Sequence, residues 1–169
     1  VAYWDPKSWG GVPNVFDLPK SKISIDGFID RIATTLSLAF VYFLLGGFGM
    51  FFFIFHLHRD RLIAFLAAMI FILIPYFKSL VIVGHIDKYP TIMYSPWIAW
   101  FLLRTLKKQT LSNILLLGLA VGLQIRATHY QVVFYTGFLV IALIVPWAWT
   151  KLKQKRFKEL LLKFGSVLV

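Results

Sequence analysis

Residues 32–61 read IATTLSLAFVYFLLGGFGMFFFIFHLHRDR, and the place where this stretch changes character decides the fold. From Ile32 to Phe55 no residue carries a charge. A helix rises 1.5 Å per residue, so a run of this length crosses a hydrocarbon core of about 30 Å. At His56 the chain turns abruptly polar, with Arg59, Asp60 and Arg61 close behind. An apolar run closed by a basic cluster is the signature of a membrane span that ends at an interface. Gly46, Gly47 and Gly49, in the second half of the run, are small residues at which a neighbouring helix can come close.

The rest of the chain has the same character. It is 59% hydrophobic and 18% aromatic, with 17 Phe, a mean hydropathy of +0.76 and charged residues at only 15%. Soluble domains carry about 25% charged residues, so an ordinary water-soluble globule is excluded. The net charge of +11 does not indicate nucleic acid. The cations sit in short clusters between apolar runs rather than on one polar face: Arg59 and Arg61, then Arg104, Lys107 and Lys108, then Lys151, Lys153, Lys155, Arg156 and Lys158. There is no cysteine, hence no disulfide framework and no thiolate metal site. The chain opens at Val1 without a signal-peptide pattern and stops at Val169 within an apolar run, which reads as an internal piece of a longer chain.

Two regions follow. Residues 1–31 form a polar, turn-rich segment, with Trp4-Asp5-Pro6, Gly10-Gly11-Val12-Pro13 and Leu18-Pro19 as turn chemistry. Trp4, Trp9 and Phe16 suit an interface, and Ser24-Ile25-Asp26 suits the cap of a short interfacial helix. Residues 32–169 form a transmembrane bundle of about five spans and a truncated sixth. After the first, a second span runs from Leu62, with Pro75 predicting a kink and Lys78 snorkelling to one interface. A short third stretch covers 91–103, with Pro96 and Trp97 inside it. A fourth covers 114–125, a fifth 132–149, and the sixth begins near Leu160. Short Lys- and Arg-rich loops stay cytoplasmic. The three basic clusters are separated by pairs of spans and so share that face. The 1–31 loop and the polar breaks at 84–90 and 126–131 share the external one.

A charge at the centre of a membrane helix costs about 2.5–3.5 kcal/mol on insertion scales, so charges beside apolar runs need a reason. The two external breaks hold His85, Asp87 and Lys88 in one and Arg126, His129 and Gln131 in the other. Converged in one cavity, they suit a phosphate group, which Arg and Lys bind by charge-assisted hydrogen bonds. The plainer alternatives are that Lys88 and Arg126 snorkel to lipid phosphates and that His85 and His129 are interfacial. Two His and one Asp can ligate a divalent metal, but His85-x-Asp87 lacks a diagnostic third ligand. Lone membrane histidines also ligate chlorins, and nothing around these two specifies that.

The order of these elements resembles the YfhO-like family of bacterial membrane proteins. The resemblance rests on Gly84-His85-x-x-Lys88, on Tyr94-Ser95-Pro96-Trp97, and on Leu123-Gln124-Ile125-Arg126-Ala127-x-His129-x-Gln131-Val132-x-x-Tyr135. Trp4-Asp5-Pro6 with Gly10-Gly11-Val12-Pro13 is similar to the family's external loop, with Asp5 where Asn is usual and Val12 where Met is usual. The match runs from near Val1 to about Trp149. It implies an all-α polytopic integral membrane protein: a GT-C-like helix bundle with an external N-terminal loop, set in the bacterial inner membrane.

The resemblance also implies transfer of a sugar from a polyprenyl-phosphate donor to a cell-envelope acceptor at the external face. Asp87, Asp5, His85 and His129 are then the candidate catalytic groups. Lys88, Arg126, Gln131 and Tyr135 are the candidate substrate- and phosphate-binding groups, and no residue is assigned to a metal. The expected partners are membrane lipids, the polyprenyl-phosphate sugar and a larger membrane complex, with no nucleic acid. The rival readings are a non-catalytic helical subunit of such a complex and a transporter of lipid-linked sugars.

Overall fold

Pro75 divides what the sequence writes as one apolar run. The computed structural model describes residues 4–5, 12–13, 37–84 and 87–153. Within them helix α1 covers Leu38–His58, α2 Arg61–Ile72 and α3 Pro75–Val83. Leu73 caps α2 and Ile74 opens α3, so Pro75 takes the first helical position, where its missing N–H costs nothing. The predicted kink is therefore a break between two helices. Together they form one 23-residue segment long and apolar enough to cross a membrane, as α1 also is.

The third expected stretch is two helices, not one. Helix α4 covers Lys88–Met93 and α5 covers Ser95–Lys107, with Tyr94 between them. Pro96 lies in the first turn of α5, so it begins a helix rather than interrupting one. Helix α6 covers Leu111–Arg126 and α7 covers Tyr130–Lys153. The break between them is narrower than the polar pattern predicts: Arg126 ends α6 and Gln131 lies in the first turn of α7. Helix α7 is the third segment able to cross a membrane by length and composition, and α6 is a shorter apolar helix. The truncated sixth span and the Ser24-Ile25-Asp26 cap lie outside the described residues.

The chain divides into two units, 1–41 and 42–169. In the first, strand β1 (Trp4–Asp5) pairs antiparallel with β2 (Val12–Pro13), Trp4 opposite Pro13 and Asp5 opposite Val12. The second is wholly helical among its described residues. Its core is the antiparallel pair α5 and α6, where Ile98, Phe101, Leu102 and Leu106 are buried with Leu117 and Ala120. Val140, Ile144 and Trp147 of α7 cover this cluster.

Helix α1 packs through its glycines. A Cβ on Gly46 would overlap the Met93 thioether, and one on Gly49 would lie 2.6 Å from Cδ1 and Nε1 of Trp97. The absent side chains let Trp97 Nε1 donate 2.9 Å to the Leu45 carbonyl, a bond that crosses between helices. The glycine-based approach expected from the sequence is realised here. Tyr42 stands edge-on between Tyr89 and Tyr94, at 6.1 and 6.2 Å, the arrangement ring quadrupoles favour.

Local capping sets the turns. Asp60 accepts from the backbone N–H groups of Leu62 and Ile63, at 2.7 and 3.0 Å, and opens α2. Thr110 accepts from Asn113 N–H and opens α6. Elsewhere the helices turn apolar faces outward: Ile70 is 69% exposed and Ile82 73%. Faces of this kind on helices of this length are satisfied by lipid.

Candidate functional site

Three of the residues singled out from the sequence ring one cavity. Lys88 begins α4, and Gln131 and Tyr135 lie one turn apart on α7; with Tyr76 of α3 they border a space of about 500 Å³. The wall of α7 is a periodic stripe: Gln131, Tyr135 and Leu139 follow at i, i+4 and i+8, with Val132 and Thr136 beside them. Gln131 Nε2 donates 3.0 Å to the Tyr135 hydroxyl, so the two act as one hydrogen-bonding unit. The Lys88 ammonium lies 5.6 Å from the centre of the Tyr76 ring. A ring face attracts a cation without neutralising it, so the positive charge is held at the mouth and remains available to an anion.

Beneath the cavity lies a polar knot to which the sequence reading assigned no role. Gln124 of α6 is 1% exposed, and its Nε2 lies 2.8 Å from Thr136 Oγ1, 2.9 Å from Ser95 Oγ and 3.0 Å from the Thr91 carbonyl. Ser95 and Thr136 hydroxyls are also 2.9 Å apart, and Thr136 donates to the Val132 carbonyl. The knot ties α4, α5, α6 and α7 together directly below Lys88 and Gln131. In an apolar interior an amide must find such partners or cost about 1–3 kcal/mol. Its sequence signals were a Gln in the apolar run 114–125 and the presence of Gln124 and Ser95 in the motifs that carry the resemblance.

The other candidates sit around this cavity rather than in its lining. Asp87 is exposed and occupies the cap position of α4 without using its carboxylate as a cap. Its carbonyl accepts from Thr91 Oγ1 at 2.7 Å, and the same hydroxyl approaches the Ala127 carbonyl at 3.2 Å. Thr91 thereby joins the two polar breaks that were expected to converge. Burial, and after it the Asp87 charge, lift the Tyr89 phenol above its ordinary range, so Tyr89 is a neutral hydroxyl at physiological pH.

Arg126 is exposed at the end of α6. His129 is half-buried in the turn that follows, and its Nδ1 is buried without a hydrogen-bond partner among the described residues. Between them Thr128 has φ +66°. A β-branched residue in the left-handed region costs about 1–3 kcal/mol, and here it turns the chain within three residues so that α7 returns beside α4. His85 lies outside the described residues, as does the side chain of Asp5, whose backbone belongs to β1. Among the described residues no three of His, Asp and Glu gather as metal ligands do.

Among the described residues the cavity thus combines one cation, one amide, two hydroxyls and two phenols at one end of a lipid-facing bundle. Residues 28–169 match the family model described as dolichyl-phosphate-mannose-protein mannosyltransferase, which takes in every described helix. No curated protein and no solved structure matches the chain. The match reaches the GT-C glycosyltransferases, which is the wider group that the YfhO resemblance implied. With apolar helices to carry it in the bilayer and its whole described bundle inside the match, the chain belongs to the dolichyl-phosphate-mannose-protein mannosyltransferase family of membrane glycosyltransferases, which act on polyprenyl-phosphate sugars.

Proposed function

We propose that this chain is the membrane part of a YfhO-like glycosyltransferase. It moves a sugar from a polyprenyl-phosphate donor to a cell-envelope acceptor at the external face of a bacterial inner membrane. The observation that carries the reading is the gathering of Lys88 from one sequence element with Gln131 and Tyr135 from another around one cavity. Basic residues lie at the other ends of α5 and α7, which line it, and short basic loops remain cytoplasmic. The cavity then opens outward.

In this reading the acceptor hydroxyl oxygen attacks C1 of the sugar, and the bond from C1 to the phosphate oxygen breaks. The electron pair stays on the phosphate, and the acceptor proton passes to a carboxylate, Asp87 or Asp5. Lys88 and Arg126 offset the charge that grows on the leaving phosphate. His129 and His85 hydrogen-bond that phosphate or relay the proton. Gln131 and Tyr135 hold sugar hydroxyls.

The test is sugar transfer by the full-length protein in membrane vesicles. Lys88→Ala is expected to lower kcat/KM by about 10²–10³-fold, the usual loss of one preorganised charge partner, with normal insertion. Transfer at the wild-type rate by a stably inserted Lys88→Ala protein would refute the assignment.

A further inference from the structure

The opposite end of the bundle holds a second cavity, of about 450 Å³, with an unlike chemistry. Its wall is aromatic: Phe52 and Phe55 of α1 face Trp100 of α5, and Phe52 stacks on Trp100 at 4.9 Å and 15°. Its rim is cationic. Arg59 comes from the turn after α1, Arg104 and Lys107 from the last turn of α5, and Lys108 from its cap. The charges of Arg59, Lys107 and Arg104 converge on His56, which also lines the space.

Among the described residues no carboxylate lines this cavity. Asp60, the nearest in sequence, is committed to the backbone of α2. None of the four rim cations is ion-paired among the described residues; Arg104 lies over the Trp100 ring at 5.0 Å. Four like charges held around one space repel one another, and an anion in that space removes the cost. Asn113 adds a hydroxyl-accepting group. It is 6% exposed, its Nδ2 donates 2.7 Å to the Lys108 carbonyl, and its Oδ1 has no partner among the described residues.

The geometry points to a binding site for the head group of an anionic phospholipid, in the leaflet opposite the Lys88 cavity. The phosphate sits among Arg59, Arg104 and Lys107, a head-group hydroxyl reaches Asn113, and the upper acyl chain lies against Phe52, Phe55 and Trp100. A free phosphate would satisfy the rim but leave the aromatic wall unused; an amphiphile with an anionic head uses both. The site is separate from the proposed transfer chemistry and stands without it.

Quenching of Trp emission by brominated lipids tests this on the full-length protein in nanodiscs of phosphatidylcholine. Brominated phosphatidylglycerol is compared with brominated phosphatidylcholine, and Trp100→Phe isolates the signal of the cavity. The wild type is expected to prefer the glycerol lipid, and Arg104→Gln with Lys107→Gln to lose about fivefold in preference per cation removed. Lys107→Gln with Lys108→Gln, both exposed positions, repeats the test without disturbing the Arg104–Trp100 contact. Equal quenching by the two lipids in the wild type would overturn the proposal, as would a preference unchanged in both double variants. Displacement of the brominated lipid by millimolar inorganic phosphate would reassign the site to a soluble anion and overturn it too.

Discussion

The two ends of α5 bear two cavities of similar size and opposite design. At the Ser95 end, among the described residues, one cation stands with one amide, two hydroxyls and two phenols, most of them already bonded to one another. At the Lys107 end four cations stand around aromatic rings, with no carboxylate among the described residues of the lining. Directional hydrogen bonds fix where a ligand's atoms lie, whereas clustered charge attracts an anion with little regard to its orientation. Chemistry at a single sugar carbon needs the first kind of site. Retention of a lipid head group needs only the second.

The sharpest break of that comparison is a double dissociation. Lys88→Ala should cost transfer about 3–4 kcal/mol and leave the quenching preference for anionic lipid unchanged. The double variant Arg104→Gln with Lys107→Gln should do the reverse, and a loss of transfer comparable to that of Lys88→Ala would merge the two ends into one functional unit. A smaller effect is expected where α1 meets α5. Gly49→Ala drives a methyl into the Trp97 ring, which is pinned by its bond to the Leu45 carbonyl, so thermal unfolding in nanodiscs should show a loss of about 1–3 kcal/mol.

Gln124→Leu removes the amide at the centre of the knot and should cost about 1–2 kcal/mol in the same measurement. It should also reduce transfer while sparing lipid preference, because the knot underlies only the Lys88 cavity. Smallest is Asp60→Ala, worth about 1 kcal/mol through the lost cap of α2. A larger loss there would mean that the carboxylate also tempers the basic rim.

Much of this was written in local sequence. The uncharged run 32–55, the glycines within it and the break at Pro75 each act through covalent geometry or lipid solvation, which a short window reveals. Pro96 misled because a proline inside an apolar stretch and a proline opening a helix look alike until the helix boundary is known. Gln131 was read as part of a polar break and as a candidate binding group; it lies in the first turn of α7 and lines the cavity from there. Gln124 was illegible as a site residue because its partners, at positions 91, 95 and 136, are brought to it by packing alone. Lys88 and Gln131 were expected to converge from the two breaks and Tyr135 was added by the resemblance, while the basic cavity was read only as a topology signal, since Phe52 and Phe55 of its wall come from a different helix than most of its charge.

Helix α5 has 13 residues, about 20 Å, against about 30 Å for a hydrocarbon core. Ser95 in one cavity and Arg104 in the other are nine positions apart, about 14 Å along its axis. With the two ends in opposite leaflets as proposed, polar cavities approach each other across less than half the ordinary insulating thickness. The membrane voltage then falls mainly over this short helix, and the local electric field is about twice that in the surrounding lipid. A phosphate that enters or leaves either cavity moves charge through that steeper field, so the energised state of the membrane becomes a term in how tightly each end holds its anion.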